Sequence, residues 1–114
     1  MAIDWDNYDT EKRNNRFKAE YHALCRVRTE LGDCKKQLHL AQLLILPLHF
    51  EAIIHDLSKA SLTINNHINT CRSRMDDIRE LIRENNTIGE ADSILSELDY
   101  LEKHKQLMEK IDAN

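Results

Sequence analysis

The residues best suited to metal chemistry are histidines and cysteines, and this chain of 114 residues has six of the former and three of the latter. His22 and Cys25 lie three positions apart, so a helix would place both on one face, where they could bind the same ion. A zinc site needs three or four ligands, and the sequence has neither a C-x-x-C pair nor an H-E-x-x-H motif. We therefore expect no metal site and no cofactor, and we interpret the histidines as scattered, partly exposed residues.

The three cysteine thiols are the only strong nucleophiles in the chain. Cys34 and Cys71 fall on apolar stripes, where a thiol is expected to be unreactive. Cys25 has His22 and Arg26 nearby, so it is the one candidate for a reactive thiol. The sequence contains no Gly-rich loop and no motif that would supply an oxyanion hole. We therefore expect a non-enzymatic protein with no catalytic residue and no small-molecule substrate.

A cluster of basic side chains lies close to the N-terminus, at Lys12, Arg13, Arg16 and Lys18. Such a cluster could contact the phosphates of a nucleic acid, which gives one alternative function, a small nucleic-acid-associated regulator that uses residues 12–18. The chain has a net charge of −4 and no helix-turn-helix signature, and the acids Glu11, Glu20 and Glu30 are interspersed along the same part of the chain. A salt-bridged, solvated helix face is therefore the favoured interpretation, and nucleic acid is not expected as a partner.

Apolar residues recur at helical spacing along most of the chain and indicate the elements that would position these groups. One series repeats every seven residues, at Phe17, Leu24, Leu31, Leu38 and Ile45. A second series interleaves with the first, at Val27, Cys34, Ala41 and Leu48. A further ladder runs from Ile54 to Ile82. With only two glycines and one proline, the chain has few turns, so these stripes predict an all-α fold.

Two breaks divide the chain into three predicted helices, over about 6–46, 47–84 and 88–112, within a single helical domain, 1–114. The first break is Pro47, which either kinks one long helix or reverses the chain at an apolar corner that must then be covered. The second is the loop 85–89, where Thr87 and Glu90 fit a capping box. The expected architecture is a long antiparallel helical hairpin or a three-helix bundle with coiled-coil-like seams.

The segment 37–58 is almost free of charge, carrying only Glu51 and Asp56. Its apolar part is too short and too often interrupted to span a membrane, and the N-terminus lacks the apolar region of a signal peptide. We therefore expect a cytoplasmic protein with no transmembrane segment, or one exported by a route that does not depend on a signal peptide. If His49, His55 or His67 became buried at an interface, assembly would weaken in acid.

The third predicted helix is too short to cover both long helices, so apolar surface is left over, chiefly at the corner around Pro47. Exposed apolar surface of this kind marks an interface. The partner would be another helical protein or a second copy of the chain, and self-association into a structural coiled-coil protein is a further alternative. The predicted partner-binding residues are Leu31, Leu38, Ile45, Leu48, Phe50, Ile54 and Leu57.

A chain of 114 residues built from long amphipathic helices around an apolar corner resembles the small helical accessory proteins of bacterial specialised secretion. The resemblance is to WXG-type helical hairpins with their LXG-toxin-associated targeting partners, and to helical type III chaperones. It implies an adaptor or chaperone that pairs with a helical domain of an exported toxin or effector. The likeness lies in size and helix layout. Asp6 and Asn7 follow Trp5 where the WXG motif has glycine, and His104 lies four positions after Tyr100 where an acid is expected, so no functional residue is transferred.

Overall fold

In a computed structural model, which describes the backbone of residues 5–112 and the side chains of residues 8–104, the chain forms three α-helices. Helix α1 covers Trp5–Ile45, α2 covers Glu51–Asn85 and α3 covers Ile88–Asp112. The described residues contain no strand, which confirms the predicted all-α class. The second helix begins at Glu51 and not at position 47, because Leu46–Leu48 form a separate 3₁₀ turn.

The side chains of Trp5, Asp6 and Asn7, the residues compared with the WXG motif, lie outside the described residues, and so do the side chains of α3 beyond His104.

The chain divides into two compact units. Unit 1 combines Met1–Cys25 with Met75–Asn114, and in it α3 runs parallel to α1: Lys18 pairs with Glu97 at 2.9 Å, and Tyr21 bonds Glu102 further along both helices. Three helices enclose a core because each covers the apolar stripes of the other two. The buried core residues are Tyr21, Cys25, Met75, Ile78, Ile82, Ala91, Ile94, Leu95 and Leu98.

One end of unit 1 is fastened by side chains that bond across the helices. The amides of Asn14 and Asn86 exchange two hydrogen bonds, of 2.8 and 3.0 Å, and an Arg13 nitrogen donates to the carbonyl oxygen of Asn85 at 2.8 Å. The Arg13 bond satisfies one of the carbonyls left open at the end of α2. One half of the predicted capping box is present at the start of α3, since the Thr87 hydroxyl accepts from the Glu90 backbone N–H at 3.3 Å.

Unit 2, Arg26–Arg74, is a two-helix hairpin. Lys35 donates to the Asn65 side chain at 2.9 Å, and Gln42 donates to the Ser58 hydroxyl at 3.0 Å. Moving seven residues forward along α1, from Lys35 to Gln42, moves the partner seven residues back along α2. The two segments are therefore antiparallel, and the chain reverses after Pro47 where the sequence left kink and reversal open.

The corner of unit 2 forms from the 3₁₀ turn Leu46–Leu48 and one residue in the left-handed conformation, His49, with φ 58°. Proline suits the start of a helical turn because its missing N–H has no partner there. Histidine is among the residue types that adopt positive φ more often than most. The His49 N–H donates to the Leu46 carbonyl at 3.2 Å and closes the turn. None of the three residues of the turn is buried, so the described chain does not cover the corner as the sequence led us to expect.

Candidate interaction surface

The strongest concentration of polar interactions in unit 1 is a cluster made of Tyr21, Arg79, Asp99 and Glu102, which we call the polar cluster. Two Arg79 nitrogens donate to the Tyr21 hydroxyl oxygen at 3.0 and 2.7 Å, and that hydroxyl donates to a Glu102 oxygen at 3.1 Å. Arg79 also pairs with Asp99 at 2.5 Å, and its guanidinium carbon lies 5.1 Å from the centre of the Tyr21 ring. The cluster joins all three helices of unit 1.

The charges of the polar cluster are fixed by burial and by the hydrogen bonds within it. Burial raises the pKa of the Tyr21 hydroxyl, and the bonds from Arg79 offset this only in part. Burial lowers the pKa of Arg79, but its bonds to Asp99 and Tyr21 outweigh this effect, so the net shift is upward and the guanidinium stays charged. The adjoining cavity of about 20 Å³ holds no more than a water molecule. We therefore interpret the cluster as a structural tie between helices.

Replacing Tyr21 with phenylalanine is expected to reduce the loss of stability at alkaline pH. Because the folded state raises the pKa of Tyr21 above 10, the unfolded chain releases this proton first as pH rises. The contribution of the Tyr21 hydroxyl to the unfolding free energy is therefore complete below pH 10 and declines as the pH rises above it. Urea unfolding at pH 8, 9, 10 and 11 should give a smaller alkaline decrease in unfolding free energy for Tyr21→Phe than for the wild type. Equal decreases in the two proteins would contradict the conclusion that the Tyr21 hydroxyl has a raised pKa in the folded state.

The cysteines do not occupy the environments expected from the sequence. Cys25, the candidate for reactivity, is buried in the core of unit 1, whereas Cys34 is exposed although its spacing placed it on a seam. The series that contains Cys34 falls at the edge of the contact with α2, since Val27 and Leu48 are also exposed. Among the described residues no group of three or more His, Cys, Asp or Glu is placed to hold a metal ion.

The basic cluster at 12–18 is partly engaged within unit 1. Arg13 bonds the Asn85 carbonyl, and Lys18 forms its ion pair with Glu97. Lys12 and Arg16 are exposed. Two of the four bases are therefore held in intramolecular bonds.

The seven predicted partner-binding residues all lie in unit 2, but in two different environments. Leu48 and Phe50 are more than half exposed at the corner. The remaining five are half-buried along the hairpin: Leu31, Leu38, Ile45, Ile54 and Leu57. On α1, Leu31, Leu38 and Ile45 alternate with Lys35 and Gln42, which hydrogen-bond across to α2, so these five apolar residues form the internal seam of the hairpin.

The exposed apolar surface around the corner combines Leu48 and Phe50 with five residues that were not predicted to bind a partner. Each is between 46% and 69% exposed. Seven large apolar side chains this exposed around one corner are more than the scattered single residues of an ordinary surface, and exposed apolar surface of this kind marks an interface. We call this surface the apolar tip, and it consists of Leu40, Leu43, Leu44, Leu46, Leu48, Phe50 and Ile53.

The apolar tip exists because the end of α1 is apolar on two sides. Leu38 and Ile45 lie on the side that faces α2, together with Lys35 and Gln42, which bond to α2. Residues two positions apart on a helix differ in direction by about 200°, so Leu40 points away from α2, as do Leu43 and Leu44 at spacings of three and four from it. The unbroken apolar run 43–46 indicates this second apolar side in the sequence. A prediction that allows α1 only one apolar stripe places the whole run in the contact with α2.

The apolar tip carries no basic residue, and its two neighbouring acids, Glu51 and Asp56, are exposed. Their carboxylates make no hydrogen bond or ion pair within residues 8–104. His49 and His55 are exposed beside them, and His67 is exposed further along α2.

Across the part of the chain that the structure describes, no helix combines the length and the apolar character needed to cross a membrane. When the chain is compared with known proteins, no family model, no curated protein and no solved structure matches it.

Proposed function

We propose that this protein is a non-enzymatic helical adaptor or chaperone that packs apolar side chains against helices of another polypeptide. The observation that carries the proposal is the apolar tip, seven large apolar side chains left about half exposed around one corner of unit 2. Water contact with a surface of this size is unfavourable, and burial contributes about 25 cal/mol per Å². A second helical element laid against the tip would remove it from water.

The size and helix layout of the chain support a place for this adaptor in bacterial specialised secretion. In that setting the partner would be a helical region of an exported toxin or effector, kept soluble or marked for export by the contact. A helix docks into such a surface through apolar residues spaced three and four apart, as Leu40, Leu43 and Leu44 are spaced in this chain. Unit 1, with its enclosed core, would serve as the folded support for the binding hairpin.

Site-specific photocrosslinking in the producing cells tests the proposal. Leu44→p-benzoylphenylalanine places a photoreactive group on the apolar tip, where Leu44 is 69% exposed. The matched control is Leu62→p-benzoylphenylalanine, because Leu62 is also in unit 2 and is 62% exposed but lies away from the corner. We expect a covalent protein adduct from position 44 and none, or a much weaker one, from position 62.

The mass of the adduct identifies the kind of partner. An adduct of twice the chain mass, 13.4 kDa each, indicates a second copy, and any other mass indicates a different polypeptide. Absence of a protein adduct at position 44, with the photoreactive chain folded and expressed at wild-type level, would overturn the proposal.

A further inference from the structure

We infer that unit 2 opens as a cooperative unit of its own while unit 1 remains folded. Opening here means that the α1 and α2 segments of unit 2, residues 26–45 and 51–74, separate and lose their contact. The inference does not depend on the proposed function. Three observations carry it: the small buried core of unit 2, the exposed hydrogen bonds that join its helices, and a glycine within its part of α1.

Unit 2 has a much smaller core than unit 1. Of its residues, all of which the structure describes, two are buried apolar residues, Ile68 and Cys71, whereas the three helices of unit 1 bury nine of theirs that are described. The seam residues of the hairpin are half-buried, and no residue of the turn Leu46–Leu48 is buried. Most of the stability of a protein helix comes from packing of its apolar face. A segment with few buried apolar contacts therefore opens at a lower free energy than the rest.

The hydrogen bonds that join the two helices of unit 2 are exposed. Lys35 donates to Asn65 where water reaches both groups, and Gln42 donates to Ser58 in the same way. In unit 1, by contrast, the bonds of the Tyr21 hydroxyl in the polar cluster are partly buried. Water replaces an exposed hydrogen bond at little cost, whereas a buried group that loses its partner stays unsatisfied. Polar contacts therefore resist opening less in unit 2 than in unit 1.

Gly32 weakens the helix in the part of α1 that belongs to unit 2. Glycine in a helix is less favourable than alanine because it loses more backbone freedom on folding. Apart from its own helix backbone, a methyl group at Gly32 would meet no described atom within 4 Å, and the same is true of Gly89 in the first turn of α3. Alanine at either position therefore stabilises one unit without changing a packing contact.

Opening exposes the apolar seam of the hairpin. In the closed form the seam residues are half-buried, and a partner has access chiefly to the apolar tip. In the open form the seam and the tip form one longer apolar surface along α1 and along α2. The residues that opening adds are five of the predicted partner-binding residues, Leu31, Leu38, Ile45, Ile54 and Leu57.

The three cysteines report on opening without any change to the chain. Cys34 is exposed in unit 2, Cys71 is buried in unit 2 and Cys25 is buried in unit 1. The two buried residues are almost equally covered, with 8% of Cys71 and 7% of Cys25 exposed. Access through the closed structure would therefore give them similar rates of alkylation, whereas separate opening of unit 2 makes Cys71 react first. The three thiols lie on different tryptic peptides, so mass spectrometry follows each one.

Alkylation of the purified full chain with excess iodoacetamide at pH 8 tests the inference. Each rate is divided by the rate of the same thiol in the urea-unfolded chain, which removes differences in intrinsic reactivity. We expect Cys34 to react fastest and Cys71 to react at least about tenfold faster than Cys25. Urea below the unfolding transition should accelerate Cys25 more steeply than Cys71, because exposure of Cys25 unfolds more surface. Equal rates for Cys25 and Cys71, with the same dependence on urea, overturn the inference.

Two alanine substitutions test whether the units open separately. Gly32→Ala should slow the alkylation of Cys71 by about twofold to fivefold, because alanine stabilises the closed hairpin. Gly89→Ala is the matched control in unit 1. It should slow Cys25 by a similar factor and leave Cys71 unchanged, because unit 1 stays folded when the hairpin opens. If Gly89→Ala slows Cys71 as much as Cys25, the chain opens as one unit and the inference is wrong.

Discussion

Replacing Ile82 with alanine is expected to lower the free energy of unfolding by about 2–4 kcal/mol, an effect typical of truncating a fully buried core residue. Ile82 has no exposed surface and lies in the core of unit 1 among residues from all three helices. Its neighbours are held by helices on every side, so the site cannot collapse around the lost atoms and a cavity remains. Small domains are stable by only about 5–15 kcal/mol, so the loss is a large fraction of the total.

Urea unfolding followed by circular dichroism at 222 nm measures this loss. The matched control is Ile88→Ala, which removes the same atoms in the same unit from a side chain that is 84% exposed. We expect the control to change the unfolding free energy by no more than about 0.5 kcal/mol. Similar losses in Ile82→Ala and Ile88→Ala would mean that the core of unit 1 is not packed as described.

Removal of the Arg79 side chain is expected to lower the unfolding free energy by about 2–3 kcal/mol, a large effect for a polar residue. Arg79→Ala removes both donors to the Tyr21 hydroxyl, the contact over the Tyr21 ring and the ion pair with Asp99. Asp99 is about half exposed, so the solvent screens that ion pair and most of the loss comes from the bonds to Tyr21. The control is Arg72→Ala on the same helix, since Arg72 is exposed and its side chain has no partner within residues 8–104.

A double-mutant cycle between Arg79→Ala and Tyr21→Phe isolates the interaction within the polar cluster. Each single variant is unfolded in urea beside the double variant, and the coupling energy is the departure from additivity. We expect a coupling of about 1 kcal/mol or more, because the two side chains share two hydrogen bonds and a ring contact. Additive losses would show that each residue stabilises unit 1 separately.

Much of the fold follows from apolar spacing alone. The ladder that contains Met75, Ile78 and Ile82 predicts an internal face, and all three residues are buried. In the third predicted helix, Ala91 and Leu98 lie seven residues apart and are buried as well. These residues are predictable because three helices pack around one core, so an apolar stripe on each helix can be buried only by facing that core.

The hairpin of unit 2 is harder to predict because polar side chains also join its two helices. Lys35 and Gln42 bond across to α2 at the solvent-exposed edge of the contact, and no hydrophobic pattern marks them as interhelical contacts. The interleaved heptad series predicts part of the seam, but in the structure two of its members, Cys34 and Leu48, are exposed. Which of two apolar sides of α1 faces α2 depends on the other helix, and a sequence does not show this.

The matched spacing of the polar pairs in unit 2 also restricts how the chain can vary in length. The stretch of α1 between Lys35 and Gln42 is equal in length to the stretch of α2 between Ser58 and Asn65. An insertion in one stretch alone would shift every interhelical residue pair beyond it and break the hydrogen bonds that now join the two helices. Natural variants of this hairpin should therefore gain or lose residues as compensating pairs, one change in each helix, while the corner itself keeps its length.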